Sequence, residues 1–275
     1  MAEVYTKIIK PKKTWSWEDL REMWNYRELL YFFTWRDIKV RYKQTVVGIL
    51  WAVFQPFITM IVFSVVFGSL AKIPSEGIPY PIFVYTGLLF WQFFSAALGS
   101  SANTLVGNAS LITKVYFPRL ILPIADTVTQ FVDVFFASLV LIGLMIYYGY
   151  APHLVGIALI PVFLFISFAT AVGAGLILAS INVKYRDVRY VLPFFIQILL
   201  FVTPVIYPSS LAGRFSWILS LNPMTGVITN VRNSILGVGA VNWQLLSTSL
   251  FISLCLLVIG VYVFKKTERY FADIV

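Results

Sequence analysis

The sequence predicts an all-α integral membrane protein with six transmembrane helices and an amphipathic helix at the membrane interface before them. Three observations carry that prediction. The chain is 59% hydrophobic and only 12% charged, with a mean hydropathy of +0.84, whereas roughly a quarter of the residues in a soluble domain are charged. Its charges gather in a few segments between long apolar runs, as in a chain that passes repeatedly between water and hydrocarbon. Those runs are continuously apolar instead of alternating, which selects helices over a β-barrel.

A helical span needs about 20 apolar residues, and the candidates in order are 49–70, 81–105, 120–148, 154–181, 191–207 and 243–264. The third is long enough to tilt. The fifth is short, and its neighbourhood carries Pro193, Pro204 and Pro208. The expected organisation is therefore a cytoplasmic tail and interface helix over 1–48, a transmembrane domain over 49–264 and a cytoplasmic tail over 265–275.

Basic residues set the orientation. With six spans both termini share a side, and that side holds 18 Lys and Arg: 10 before the first span, 2 after the second, 3 after the fourth and 3 after the sixth. The opposite side holds 3, namely Lys72, Arg214 and Arg232. Both termini are thus expected in the cytoplasm. The net charge of +9 reads as membrane orientation, and nucleic-acid binding is excluded for want of a soluble basic domain. The first 30 residues hold no short apolar run followed by small residues, so the spans themselves are expected to direct insertion. A single cysteine, Cys255, and a single histidine, His153, leave no intramolecular disulfide and no Cys- or His-based metal site to expect.

The segment before the first span has helical periodicity. Trp17, Leu20, Met23, Trp24, Leu30, Tyr31, Trp35 and Ile38 recur near spacings of three and four, with Glu18, Asp19, Glu22, Asn25 and Glu28 mainly opposite. Such a helix lies in the interface plane. Joined to the first span without a loop, it would carry a push from the cytoplasm into the membrane. Between the second and third spans, Asn108 is placed to cap a short helix through Ser110 to Val115, which Pro118 ends. Leu111, Ile112, Val115, Tyr116 and Phe117 are too apolar for a solvated loop, and a partner protein is expected to cover them.

The third span carries Asp126, Thr129, Gln130 and Asp133 at i, i+3, i+4 and i+7, one polar stripe. Intramembrane carboxylates are costly and face a bundle interior or a cavity. The open readings are pairing of Asp126 with Arg119 or Lys114, bonding across a subunit interface, a place in a substrate channel, and a proton relay. Small residues in "TAVGAGLILAS", with Gly173 and Gly175, predict close helix packing. No G-x-x-x-x-G-K-[ST] occurs, so the chain has no loop to cradle ATP phosphates, and a partner must supply any energy from ATP.

Four stretches, "WRDIKVRYKQTVVGILWAVFQP", "NASLITKVYFPRLILP", "NVKYRDVRYVLPFFIQILLFVTPVIYP" and "LNPMTGVI", resemble, in order, the signatures of the permease subunit of ABC transporters that export bacterial polysaccharides such as O-antigen, capsule and teichoic acid. The resemblance covers about 17–270 and omits 71–81. It implies an inner-membrane, multi-pass homodimer working with two ATP-binding subunits, which hold the ATP and Mg, while this chain binds no cofactor. It implies further that Trp35, Arg36, Asp37, Lys39, Arg41, Tyr42 and Lys43 belong to the interface helix over the ATPase. Asn108, Ser110, Leu111, Ile112, Lys114, Val115, Tyr116, Phe117 and Arg119 form the coupling helix that docks into it.

On the same resemblance, Lys184, Tyr185, Arg186, Asp187 and Arg189 make a second cytoplasmic contact, and 207–239 contains re-entrant gate helices on the periplasmic side. The first and fifth spans are expected as channel wall, with Trp51, Phe54, Gln55, Gln197, Phe201 and Tyr207 as lining candidates. Two other readings stand beside a lipid-linked polysaccharide exporter. A drug or lipid exporter would not need the "YRDVRYVLPFFIQ" and "VYFPRLILP" stretches. An integral membrane enzyme acting on lipid-linked sugar would need acid or base residues at a membrane face, where Asp126 and Asp133 are the dense candidates.

Overall fold

The computed structural model describes residues 17–43 and 48–274, and every element in them is helical. Helices α1 (Trp17–Asn25) and α2 (Arg27–Lys43) precede the first long apolar helix, α3 (Gly48–Phe63), which runs on as a π-helical segment to Leu70. Then follow α4 (Tyr80–Gly107), the short α5 (Ala109–Lys114), α6 (Ile121–Tyr148), α7 (Leu154–Lys184) and α8 (Val188–Val202). A 3₁₀ segment (Ser209–Phe215), α9 (Ser216–Ser220), α10 (Pro223–Leu236) and α11 (Trp243–Ile274) complete the chain.

Among the described residues, five helices are long and apolar enough to cross a membrane: Leu50–Leu70, Tyr80–Gly107, Ile121–Tyr148, Leu154–Lys184 and Trp243–Glu268. The expected fifth span is different. Helix α8 has 15 residues, which at 1.5 Å each reaches about 22 Å, short of a hydrocarbon core of about 30 Å. It stops where Thr203 turns extended, immediately before Pro204, as expected of a residue that precedes proline.

Helix α4 is the central shaft. Nearly four-fifths of its apolar window is buried, and it packs against α6, α7 and α10. The α7–α11 crossing is tight because glycines meet there. A Cβ on Gly260 would strike the backbone of Gly173, and one on Gly173 would come within 2.6 Å of the Leu256 carbonyl carbon. The expected packing at "TAVGAGLILAS" is therefore present, with Gly175 against Ser101 of α4.

Two buried clusters occupy the two ends of the bundle. The larger gathers α4, α7, α8 and α10 around Phe83, Tyr85, Phe163 and Ile228. The smaller gathers Phe33 of α2, Ile112 of α5, Phe117 and Leu120 of the following turn, and Phe264 and Phe271 of α11. Helix α11 thus continues as helix through the expected 265–275 tail as far as Ile274, and Phe271 is fully buried.

The segment before the first span is not one helix. It breaks at Tyr26, and the buried or half-buried side is Met23, Tyr26, Leu29, Leu30 and Phe33, with Ile38 half-buried beyond it. Met23, Leu30 and Ile38 of the predicted stripe thus face inward, Trp24, Tyr31 and Trp35 do not, and the side chains of Trp17 and Leu20 lie outside the described residues. Trp24 and Tyr31 are 70% exposed, and Phe32 and Trp35 are exposed beside them. The segment has apolar residues on two sides, and only one faces the protein. The junction with the first span, 44–47, lies outside the described residues.

Candidate functional site

The predicted coupling residues converge at the end of the bundle that holds α2, α5 and the last turns of α11. Asn108 sits between α4 and α5, but its side chain does not cap α5. Its amide donates back to the Thr104 carbonyl at 2.9 Å, and its Oδ1 accepts from Arg36 Nη2 at 3.2 Å. The capping expectation fails because both polar atoms are already engaged, one with the preceding helix and one with α2.

Arg36 also pairs with Asp37 at 2.8 Å and lies over the Phe33 ring at 5.1 Å. Phe33 in turn meets Phe117 edge-on at 5.6 Å. Helix α2 is therefore fastened to both flanks of α5, through a polar contact at Asn108 and an aromatic one at Phe117.

The apolar residues of the short helix divide. Ile112 and Phe117 are each 4% exposed and belong to the protein's own core, so no partner is needed to cover them. Leu111 is half-buried, while Val115 and Tyr116 are 55% and 74% exposed, beside exposed Ser110 and Lys114. The Tyr116 hydroxyl reaches Glu22 of α1 at 3.4 Å. Partial burial, and then the Glu22 carboxylate, push its phenol above the usual range.

Arg119 is held by α11. Its guanidinium donates to the Glu268 carbonyl, its amide donates to the Glu268 carboxylate at 3.3 Å, and it lies over Phe271 at 5.9 Å. Arg119 is therefore not the partner of Asp126, and neither is Lys114. Asp126 faces Thr104, Asp37 and Arg36.

The rest of the stripe is taken by α2. Arg41 Nη1 donates to Asp133 at 2.6 Å and to Gln130 Oε1 at 2.9 Å, and Tyr42 donates its hydroxyl to the other Asp133 oxygen. Burial, and then Asp133, push the Tyr42 phenol well above its usual range, so it stays a donor. Asp133 and Gln130 are thus matched by a cation and a donor of the interface helix, 89 to 92 residues earlier in the chain. Lys39 and Lys43 are exposed, Lys39 lying over Trp35 at 5.3 Å.

Two cavities flank this contact. One of about 270 Å³ is lined by Asp37, Arg41, Asn103, Asp126 and Gln130 among others. The second, of about 410 Å³, shares Asn103 and Gln130 and extends to Gln55, Gln92 and Pro193.

The second predicted loop sits at the same end, since Asn182 Nδ2 donates to the Ala102 carbonyl at 3.0 Å and to Asn103 at 3.1 Å. Lys184, Tyr185, Arg186, Asp187 and Arg189 are all exposed. Among the lining candidates, Trp51, Phe54, Gln55, Gln197 and Phe201 lie on exposed faces of α3 and α8. Tyr207 does not join them. It packs against the larger cluster and donates to the Val202 carbonyl at 2.7 Å.

Sequence reasoning missed Arg232. Counted as a loop cation, it is 3% exposed in α10 and donates to three backbone carbonyls. Its position eight residues after Met224, in a run of Val, Ile and Thr, was the available signal.

Known proteins resemble this chain over most of its length. It is 28% identical over 248 residues to an O-antigen export system permease protein RfbA of Klebsiella pneumoniae, covering 90% of this chain and 95% of the relative. It is 32% identical over 219 residues to the RfbA of Myxococcus xanthus, covering 78% and 82%. A polysialic acid transport protein KpsM of Escherichia coli is 22% identical over 209 residues, covering 73% and 78%. Residues 28–236 match the ABC-2 type transporter family, from within α2 to the end of α10, and the chain belongs to that family.

Proposed function

We propose that the chain is the membrane-spanning permease subunit of an ATP-driven exporter that moves lipid-linked polysaccharide, of the O-antigen kind, across the bacterial inner membrane. Two copies work with two ATP-binding subunits, which hold ATP and Mg. Both termini are cytoplasmic, so the end bearing α2, α5 and the 184–189 loop faces the ATPase. On this reading α8 is a short fifth span added to the five long apolar helices, and the 3₁₀ segment, α9 and α10 form the periplasmic gate.

One observation carries this reading. Val115 and Tyr116 stand exposed on a ledge whose underside, Ile112 and Phe117, is locked into a core shared by α2 and α11. An exposed apolar pair on a rigid base is a docking surface, and a push on it reaches α2, α4 and α11 together. The exposed α3 and α8 faces, with Trp51, Phe54, Gln197 and Phe201, supply walls for a pathway between two copies. ATP-driven closure of the ATPase pair would move α5 and α2 and open the gate. The acidic stripe serves to seat α2, because Asp133 and Gln130 are bonded to Arg41, and this favours a structural role for it over a proton relay or an acid–base site.

The test is the ATPase activity of the permease and its ATP-binding subunit together in lipid, with and without lipid-linked polysaccharide. Wild type is compared with Val115→Asp/Tyr116→Asp, which alters only exposed positions. The expected result is glycolipid-responsive ATPase in wild type and loss of subunit association in the double variant. ATPase that responds to lipids or drugs but not to glycolipid overturns the substrate class. A lone chain that modifies glycolipid overturns the transporter reading.

A further inference from the structure

We propose that Arg232 is a positioning residue that pins the gate to α4, making α4 the rod that joins the coupling helix to the gate; the proposal rests on the exporter reading above.

The chain reverses after α8 inside the protein. Thr203 and Val205 are fully buried and Ile206 is 2% exposed. The turn beyond α8 has carbonyls without helical partners, and away from water each such group must find one. Here the partners come from other helices. Arg232 of α10 donates Nη1 to the Pro204 carbonyl at 2.7 Å and Nη2 to the Val205 carbonyl, and Tyr80 of α4 donates its hydroxyl to the Ile206 carbonyl at 2.7 Å.

The same guanidinium grips α4. Its Nε donates to the Phe83 carbonyl at 3.0 Å, and its plane lies 3.7 Å from the Phe83 ring centroid, close enough for a desolvated cation–π contact. Gly87 makes the room, since a Cβ there would stand 2.5 Å from Nη2. Arg232 has no ion pair among the described residues, and Glu76 acts on it only at longer range. A buried unpaired arginine is an expensive way to stabilise a fold. What it supplies is one rigid fork joining three elements, a geometry that lysine lacks.

From Phe83, α4 runs without interruption to Gly107 and turns through Asn108 into α5. Those two dozen residues span about 36 Å. A displacement of α5 therefore reaches the Pro204–Val205 reversal through one buried helix and one side chain.

The experiment uses the complete permease–ATPase complex in proteoliposomes, with ATP hydrolysis and glycolipid export measured on the same sample for R232M, R232K and Y80F. The expected result is hydrolysis within twofold of wild type. Export falls at least tenfold in R232M, severalfold in R232K and about twofold in Y80F, so the ATP used per glycolipid rises in that order. A purely structural role lowers both quantities together and leaves the ratio unchanged, which overturns the proposal. If R232M does not assemble, the ratios of R232K and Y80F decide.

A spin label at Leu211→Cys in a Cys255→Ser background separates failure of the pin from failure of the exporter reading. The pin predicts a more mobile label in R232K with an unchanged label at Thr113→Cys, whether or not glycolipid is moved. An unchanged Leu211 spectrum overturns the pin, whereas absence of export in wild type overturns only the exporter reading.

Discussion

The two ends of the bundle solve the same problem, polar groups next to hydrocarbon, in opposite ways. At the α2–α5 end the bonds that fasten α2 run from side chain to side chain. Arg36 meets Asn108, and Arg41 meets Asp133 and Gln130. Arg41 and Asp133 keep 41% and 29% of their side chains exposed, so water can replace either partner. At the other end Arg232 and Tyr80, both buried, bond to backbone carbonyls where water has little access. The first arrangement is suited to being shifted by a partner, and the second to holding its shape while it is moved.

The largest expected effect comes from breaking the apolar base of the movable end. Phe117→Asp places a carboxylate against Phe33 in a site 4% exposed with no cation assigned to it. It should cost more than about 4 kcal/mol, in the range reserved for unpaired buried charge. Thermal unfolding in detergent should show the loss, and far less protein should insert. A near-normal melting temperature would mean that α5 is not braced by this core.

Next in size is the crossing from which both ends hang. Gly260→Val would drive methyl groups into the Gly173 backbone of α7, an overpacking that costs about 1–3 kcal/mol or more. Because α11 carries Phe264 and Phe271 into the smaller cluster, the damage should appear at the α5 end as well. Proteolytic cleavage near Lys114 and Arg119, faster than in wild type, checks this, and cleavage confined to the far end would contradict it.

What the sequence made legible follows from the same contrast. Hydropathy finds long apolar helices because that signal is summed over about 20 residues, and five spans were plain in it. It did not show that α8 is short, since an apolar run of 17 residues reads alike whether it stays helical or reverses at Thr203 and Pro204. The 108–119 segment was legible as too apolar for a loop, but which of its side chains face inward was not. Ile112 and Phe117 turn in and Val115 and Tyr116 turn out because of Phe33 and Phe271, which lie 84 residues before and 154 after Phe117. Arg232 was invisible as a buried group because a lone Arg between apolar runs looks like a topology signal. The partners of Asp126 and Asp133 were sought in the adjoining loop, whereas Asp133 is bonded by α2 and Asp126 lies between Thr104 of α4 and Asp37 and Arg36 of α2.

Asp133→Asn sharpens the claim that the bonds of the movable end are exchangeable. It removes the charge facing Arg41 while keeping an acceptor for Tyr42. For a pair this exposed, stability should fall by about 1 kcal/mol or less. The effect should instead appear as a weaker response of ATPase to glycolipid and as a loss of salt dependence, since screening acts on the pair that has been removed. A drop of several kcal/mol would mean that the α2–α6 contact is as rigid as the Arg232 clasp, and the contrast between the two ends would fail.

The smallest effect on stability, and the most informative, belongs to Tyr116→Ala. The side chain is 74% exposed and its contact within the chain is a long bond to Glu22, so the fold should change by less than about 0.5 kcal/mol. If Tyr116 is an anchor for the ATP-binding subunit, its removal should weaken association by 2 kcal/mol or so, about thirtyfold in Kd, as truncation of an aromatic hot spot does. Titration of the ATP-binding subunit against the permease in nanodiscs measures that directly. Stability unchanged with association lost separates the outward face of α5 from its inward face. Stability and association both unchanged would move the docking surface off Tyr116 and onto the exposed 184–189 loop.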